Sequence, residues 1–139
     1  MPDFAESSGH EIARRLEIAG GPAWLAVLKP TGAAEAALEA LEDELEVYLG
    51  RPVRVLDVSG PSTADLRQQS HSPPDDTVIL IGLDDFDEDR WTALDINRDG
   101  IARRGALVLW LSPEGVLGLC RHAPNIRSFV GGSIFHLGP

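Results

Sequence analysis

The sequence predicts an α/β domain of three layers, a sandwich in which helices cover both faces of a mainly parallel five-stranded sheet. Residues 77–83 and 106–111 carry this prediction, because both segments are almost entirely apolar. Strands without alternating polar side chains are typical of a sheet covered on both faces. A helical segment from Trp91 to Ile101 joins them, as in a parallel βαβ crossover. With 139 residues, 43% of them hydrophobic, the chain can bury one such core, so residues 1–139 are predicted to form a single domain.

The first half of the chain supplies two strands and two helices. A first helix follows residues 1–6, which are predicted to be flexible. Residues 23–28 are an apolar strand, and the longest helix follows, with apolar residues at helical spacing from Ala34 to Leu49. A second strand over residues 53–58 begins after Pro52, which suits the start of an edge strand.

The remaining elements surround the crossover. A short helix near residues 62–69 precedes it. After it, Ser112 and Pro113 are typical of an N-cap and the first residue of a helix. Pro124 is predicted to end that helix, and residues 133–137 form the last strand. The order of elements is therefore an alternation of helices and strands, as three-layer α/β domains have.

The composition of the chain restricts the kinds of partner that we expect it to bind. The chain has 12 Lys and Arg against 22 Asp and Glu, and its net charge of −10 opposes a phosphate backbone. One cysteine excludes an internal disulfide, and no apolar run reaches the length of a membrane span. We therefore expect a cytoplasmic protein that binds neither nucleic acid nor membrane.

The second half of the chain resembles the P-loop-like α/β domain that precedes helical repeats in bacterial STAND-type and tetratricopeptide-repeat proteins. The resemblance covers Trp91 to Phe135. It rests on four runs: LDINRDGIARRG at 94–105, LVLWLSP at 107–113, HAPN at 122–125 and GSIF at 132–135.

This resemblance implies a P-loop-NTPase-like topology, with the five predicted strands in the order 5-1-4-3-2. Residues 77–85 would hold the Walker B strand, and residues 106–111 the sensor strand. In that order the last strand lies at an edge of the sheet. The resemblance also implies a role in bacterial signalling or defence.

The phosphate-binding loop of such a domain is missing. Glycine amides and a lysine at the spacing G-x-x-x-x-G-K-[ST] cradle phosphates, whereas residues 28–34 read LKPTGAA. Lys29 precedes the only glycine of this segment, and Pro30 removes an amide donor. Asp84 and Asp85 lie where a Walker B acid would, and we expect them to cap the next helix.

These features favour a non-catalytic protein-interaction or adaptor domain, a degenerate relative of the NTPases without enzyme activity or cofactor. The alternative is an enzyme or switch that binds a nucleotide or metal through Asp84 and Asp85. The two hypotheses make opposite predictions about ligand binding.

A second motif suggests calcium. Residues 95–100, DINRDG, match the first half of an EF-hand loop, with Asp95, Asn97 and Asp99 as candidate ligands. The twelfth position of such a loop carries a bidentate carboxylate, but here it is Ala106. We therefore expect no calcium site.

Two surfaces are candidates for docking a protein partner, including a second copy of the chain. One is the edge strand with Ile134 and Phe135, since an unpaired apolar edge is a template for another strand. The other is the acidic face of the longest helix, which would steer a basic partner. Its carboxylates include Glu35, Glu39, Glu42 and Glu46.

Overall fold

The elements are those of a computed structural model, which describes residues 6–19, 23–30, 32–50, 52–59, 77–96, 106–131 and 134–137. The strands are β1 (Glu6–Ser7), β2 (Ala23–Leu28), β3 (Val53–Asp57), β4 (Thr77–Ile81), β5 (Ala106–Leu111) and β6 (Ile134–Leu137). The helices are α1 (Gly9–Ala19), α2 (Ala34–Leu49), α3 (Glu88–Ile96), α4 (Pro113–His122) and α5 (Pro124–Val130). A short 3₁₀ helix, Leu83–Asp85, precedes α3.

The strands form one sheet in the order β1-β6-β2-β5-β4-β3, and every pairing is parallel. The centre is the β2–β5 pair, in register from Ala23 opposite Ala106 to Leu28 opposite Leu111. The predicted α/β class and P-loop-NTPase-like topology are confirmed. The five predicted strands also have the predicted order, 5-1-4-3-2.

Alternate side chains of the central strands enter two separate cores, which is why these strands are apolar throughout. Along β5, Leu107 and Leu109 pack against α3, α4 and α5, whereas Val108 and Trp110 pack against α1 and α2. All six residues of β5 are buried. The sheet is therefore the middle of three layers.

One edge of the sheet differs from the prediction. Glu6 and Ser7 form β1, which pairs with His136 and Leu137 of β6. The last strand therefore lies between β1 and β2, and the prediction that it is an edge strand is wrong. Residues 1–5 lie outside the described residues, and the flexibility of residues 1–6 stays a prediction. Two residues are too short to show any periodicity, and their strand geometry comes from the pairing with β6.

The two apolar residues of that strand already have neighbours. Ile134 and Phe135 are half-buried and pair with Ala26 and Val27 of β2. Ile134 packs against the core under α3–α5, and Phe135 packs against the core under α1 and α2. Much of their apolar surface is therefore used inside the domain.

The helix that begins at Pro113 ends at His122, just before Pro124, as predicted. The short helix that follows was not predicted from the sequence, because Pro124 is also the first residue of α5. Proline suits the first turn of a helix, because an N–H there has no partner within the helix. The predicted helix at 62–69 and the predicted continuation of α3 to Ile101 lie outside the described residues.

None of the helices in the described ranges combines the length and apolar character needed to span a bilayer.

Candidate functional site

Three loops meet at the carboxyl end of the sheet, where ligands bind in open α/β folds. Lys29 follows β2, Asp84 lies in the 3₁₀ helix after β4, and Ser112 follows β5. Because β5 lies between β2 and β4, the parallel order brings these three residues together. We call them the Lys29–Asp84–Ser112 cluster.

Asp84 is the acceptor at the centre of this cluster. Lys29 Nζ forms an ion pair with Asp84 Oδ2. The backbone N–H of Ser112 donates to Oδ1 at 2.7 Å, and the Ser112 hydroxyl donates to the same oxygen at 2.8 Å. The side chains of Lys29 and Asp84 are 29% and 24% exposed. Both oxygens of the carboxylate are thus occupied by groups of this chain.

Ser112 is also the N-cap of α4, as the sequence predicts. Its hydroxyl oxygen accepts from the backbone N–H of Gly115 at 3.2 Å. Gly115 is buried, and a Cβ at that position would lie 2.5 Å from Asp84 Oδ1. The absent side chain therefore gives the carboxylate room at the start of the helix.

The cluster holds Asp84 ionised. Burial raises the pKa of Asp84, but the hydrogen bonds from Lys29 and Ser112, together with the Lys29 charge, lower it further than burial raises it. The pKa of this carboxyl therefore lies below its usual range.

The prediction that Asp84 and Asp85 cap the next helix, α3, is wrong. The residue that caps α3 is Asp87, whose Oδ1 accepts from the backbone N–H of Arg90 at 2.9 Å. Asp84 lies instead at the start of α4, and Asp85 is exposed. Acidic residues follow one another so closely here that spacing alone does not identify the cap.

Val58 and Ser59, the two described residues that follow β3, are held by neighbouring side chains. The guanidinium of Arg90 donates to the carbonyls of Val58 at 2.9 Å and Ser59 at 3.3 Å, and lies 4.4 Å from the ring centroid of Phe86. Asp57 accepts from the hydroxyl and backbone N–H of Ser59, and these bonds lower the pKa of Asp57. The contacts of Arg90 join the carboxyl end of β3 to α3, and the Val58 N–H donates to the Ile81 carbonyl at the end of β4 at 2.9 Å.

The candidate calcium residue Asp95 has a structural role. It is 5% exposed, and its carboxylate accepts from Asn125 Nδ2 at 2.9 Å and from the backbone N–H of Ile126 at 2.8 Å. Asp95 thereby joins α3 to the first turn of α5. Asn97 and Asp99 lie outside the described residues. The part of the chain that the structure describes has no group of three His, Cys, Asp or Glu side chains able to hold a metal.

Replacing Asp95 by alanine is expected to lower the free energy of unfolding by about 1–2 kcal/mol, the cost of a lost helix cap. The N–H of Ile126 would remain buried without its acceptor. Urea unfolding measures the change, and Asp89→Ala in the same helix is the matched control, since Asp89 is exposed. Equal stability of the two variants would contradict the structural role of Asp95.

The acidic face lies on α2. Glu35, Glu39 and Glu46 are exposed and Glu42 is half-buried. Burial and the charges of Glu46, Asp43 and Glu39 raise the pKa of Glu42, as like charges on one helix do. Glu46 Oε1 also accepts from the N–H of Val53 at 3.3 Å. A docking role for this face, and for Ile134 and Phe135, stays a prediction.

Sequence reasoning missed the ion pair, although one signal was present. Lys29 is the only lysine of the chain, and the other eleven basic residues are arginines. A lysine ammonium is a compact point charge, whereas a guanidinium is a broad planar fork. A lysine at this strand end suits a close one-to-one pair with a carboxylate, as the ion pair with Asp84 shows.

Two solved structures from Aeropyrum pernix have a similar fold. The ORC2 protein in its ADP form matches with a TM-score of 0.57 at 13% identity, over 93% of this chain and 47% of that one. The ORC1 protein in complex with DNA matches with a TM-score of 0.54 at 17% identity, over 99% of this chain and 47% of that one. The chain thus spans about half the length of both structures. No protein-family model and no curated protein matches it.

The DNA complex corrects one expectation. We excluded nucleic acid from the net charge, and that exclusion is wrong as an inference, because a protein with a similar fold is found in complex with DNA. Net charge is a poor guide here, since six of the 22 acidic residues are on α2 and the charge is unevenly distributed. The expectation that the partners of this chain exclude nucleic acid is therefore withdrawn.

At these identities the likeness concerns the fold alone. It supports the P-loop-like part of the resemblance seen in the sequence, whereas these two structures do not confirm the bacterial STAND-type and repeat-protein part. The chain has a P-loop NTPase-like α/β fold.

Proposed function

We propose that this P-loop NTPase-like domain is non-catalytic and acts as an adaptor that binds a macromolecule. The Lys29–Asp84–Ser112 cluster carries the proposal. In P-loop NTPases a lysine contacts the phosphates and an acid holds Mg²⁺. Here the lysine and the acid at the carboxyl end of the sheet bind each other. A nucleotide and its metal ion would have to compete with this ion pair for both charges.

The segment between β2 and α2 supports the same conclusion. Pro30 is buried and has no N–H, and Ala33 precedes α2 with a φ of 53° and without a side-chain cap. Glu35 lies in the first turn of α2. A carboxylate there complements the positive end of the helix and repels a phosphate. The helix start that binds phosphate in P-loop proteins is therefore unfavourable for it here.

The competing hypothesis uses Asp84 and Asp85 to bind a nucleotide or metal ion. It requires Asp84 to give up its three hydrogen bonds from Lys29 and Ser112 in order to bind a ligand. Asp85 is exposed and lies beside the cluster, so it could contribute only one further carboxylate.

Calorimetric titration with ATP and ADP in the presence of Mg²⁺ tests the proposal. We expect no saturable heat up to about 1 mM nucleotide, the weak end of ordinary ligand affinities. A Mg²⁺-dependent dissociation constant in the micromolar range would contradict the proposal. Loss of that binding in Asp84→Asn and Asp85→Asn would establish the competing hypothesis.

Duplex DNA is the first macromolecule to assay, because the similar ORC1 structure is in complex with DNA. Fluorescence anisotropy at low salt would detect even non-specific binding, whose weakest dissociation constants are about 100 µM. Binding that weakens as salt rises would identify DNA as a partner of the adaptor. Its absence would direct the search to other macromolecules.

A further inference from the structure

The three groups that bind Asp84 form a small cradle for an oxyanion. They are the Lys29 ammonium, the Ser112 N–H and the Ser112 hydroxyl, and all three are donors. The cradle lies at the start of α4, where the helix dipole also favours negative charge. A phosphate or a free carboxylate would satisfy the same donors, since charge-assisted hydrogen bonds of this kind suit either group.

The acceptor and the donors lie on different loops. Lys29 and Ser112 belong to the loops after β2 and β5, whereas Asp84 belongs to the 3₁₀ helix after β4. This 3₁₀ helix begins after Gly82, which has a φ of 84° that glycine adopts readily. Since Lys29 N also donates to the Leu111 carbonyl at 2.9 Å, the two donor loops are held together without Asp84.

We infer that Asp84 is an autoinhibitory contact, a tethered anion that fills the oxyanion cradle of Lys29 and Ser112 and excludes free oxyanions from it. The inference rests on the proposed function and gives a reason for the expected lack of nucleotide binding. A tethered group acts at a millimolar or higher effective concentration, so free phosphate at ordinary concentrations competes poorly.

Removing the carboxylate tests this inference. In Asp84→Ala the cradle is empty, and sodium phosphate is expected to raise the melting temperature by several degrees, saturably and beyond the effect of sodium chloride at equal ionic strength. Sodium acetate is the second probe. The anion that raises the melting temperature more is the one that fits the cradle better. Wild type and Asp85→Ala should show no such rise. The double variant Lys29→Met with Asp84→Ala should lose it.

Each outcome decides the inference. A folded Asp84→Ala variant that neither anion stabilises would overturn it, and so would wild type stabilised as strongly as the variant. Should the variant not fold in chloride, refolding by acetate or phosphate would support the cradle, and failure of both anions would count against it. Binding of ATP by wild type would instead overturn the proposed function, so the two failures are distinguishable.

Discussion

The Gly115→Ala variant is expected to lose about 1–3 kcal/mol of unfolding free energy, the usual cost of overpacking a buried position. The direction of this change in unfolding free energy is informative, because alanine in place of glycine within a helix ordinarily stabilises a protein by about 1 kcal/mol. The new Cβ would lie 2.5 Å from Asp84 Oδ1 and 3.0 Å from Leu111 Cδ2. Asp84 is held by three donors and cannot move without breaking the cluster.

Gly32→Ala is the matched control, since no atom lies within 4 Å of the Cβ it would add. We expect its stability to be unchanged or raised by about 0.4–1 kcal/mol, the effect of reduced chain entropy. Urea unfolding at neutral pH compares the two variants. A Gly115→Ala protein as stable as wild type would show that Asp84 does not approach α4 as described.

The Asp84→Ala variant is expected to lose about 1.5–3 kcal/mol of unfolding free energy at pH 7, the range for hydrogen bonds to a charged group. Lys29 and Ser112 would lose their common partner in a partly buried position. The control is Asp85→Ala at the neighbouring exposed carboxylate, which should change stability by no more than about 0.5 kcal/mol, as surface substitutions do.

The loss in Asp84→Ala should depend on pH. The pKa of Asp84 is lowered in the folded protein. The carboxylate therefore contributes its full stability above the unfolded pKa of about 3.9. That contribution disappears as pH falls through the lower, folded pKa. Wild type and variant should thus converge in stability below about pH 4, and a difference that stays constant from pH 7 to pH 3 would contradict the ionised cluster.

The central sheet could be predicted because the signal for each strand lies in residues that are adjacent in the sequence. Apolar runs such as Ala106–Leu111 are needed wherever both faces of a strand are buried, and all six of those residues are buried. Likewise Ser112 followed by Pro113 has the local chemistry of a helix start, and the structure confirms it. Local patterns therefore determined the fold class and most strands.

The candidate site was less predictable because it depends on strand order. Lys29 and Asp84 are 55 positions apart, and Asp84 and Ser112 are 28 apart. They meet only because β5 lies between β2 and β4. The β1 pairing was missed for a similar reason, since its partner β6 is at the far end of the described residues.

The same strand order affects how the protein reaches its native state. Strand β2 is synthesised well before both of its neighbours, β5 and β6. A ribosome-bound chain would therefore carry β2 with neither edge paired. Contacts so distant in sequence are associated with slow folding. The centre of the sheet is consequently the part of the molecule that depends longest on protection from aggregation during synthesis.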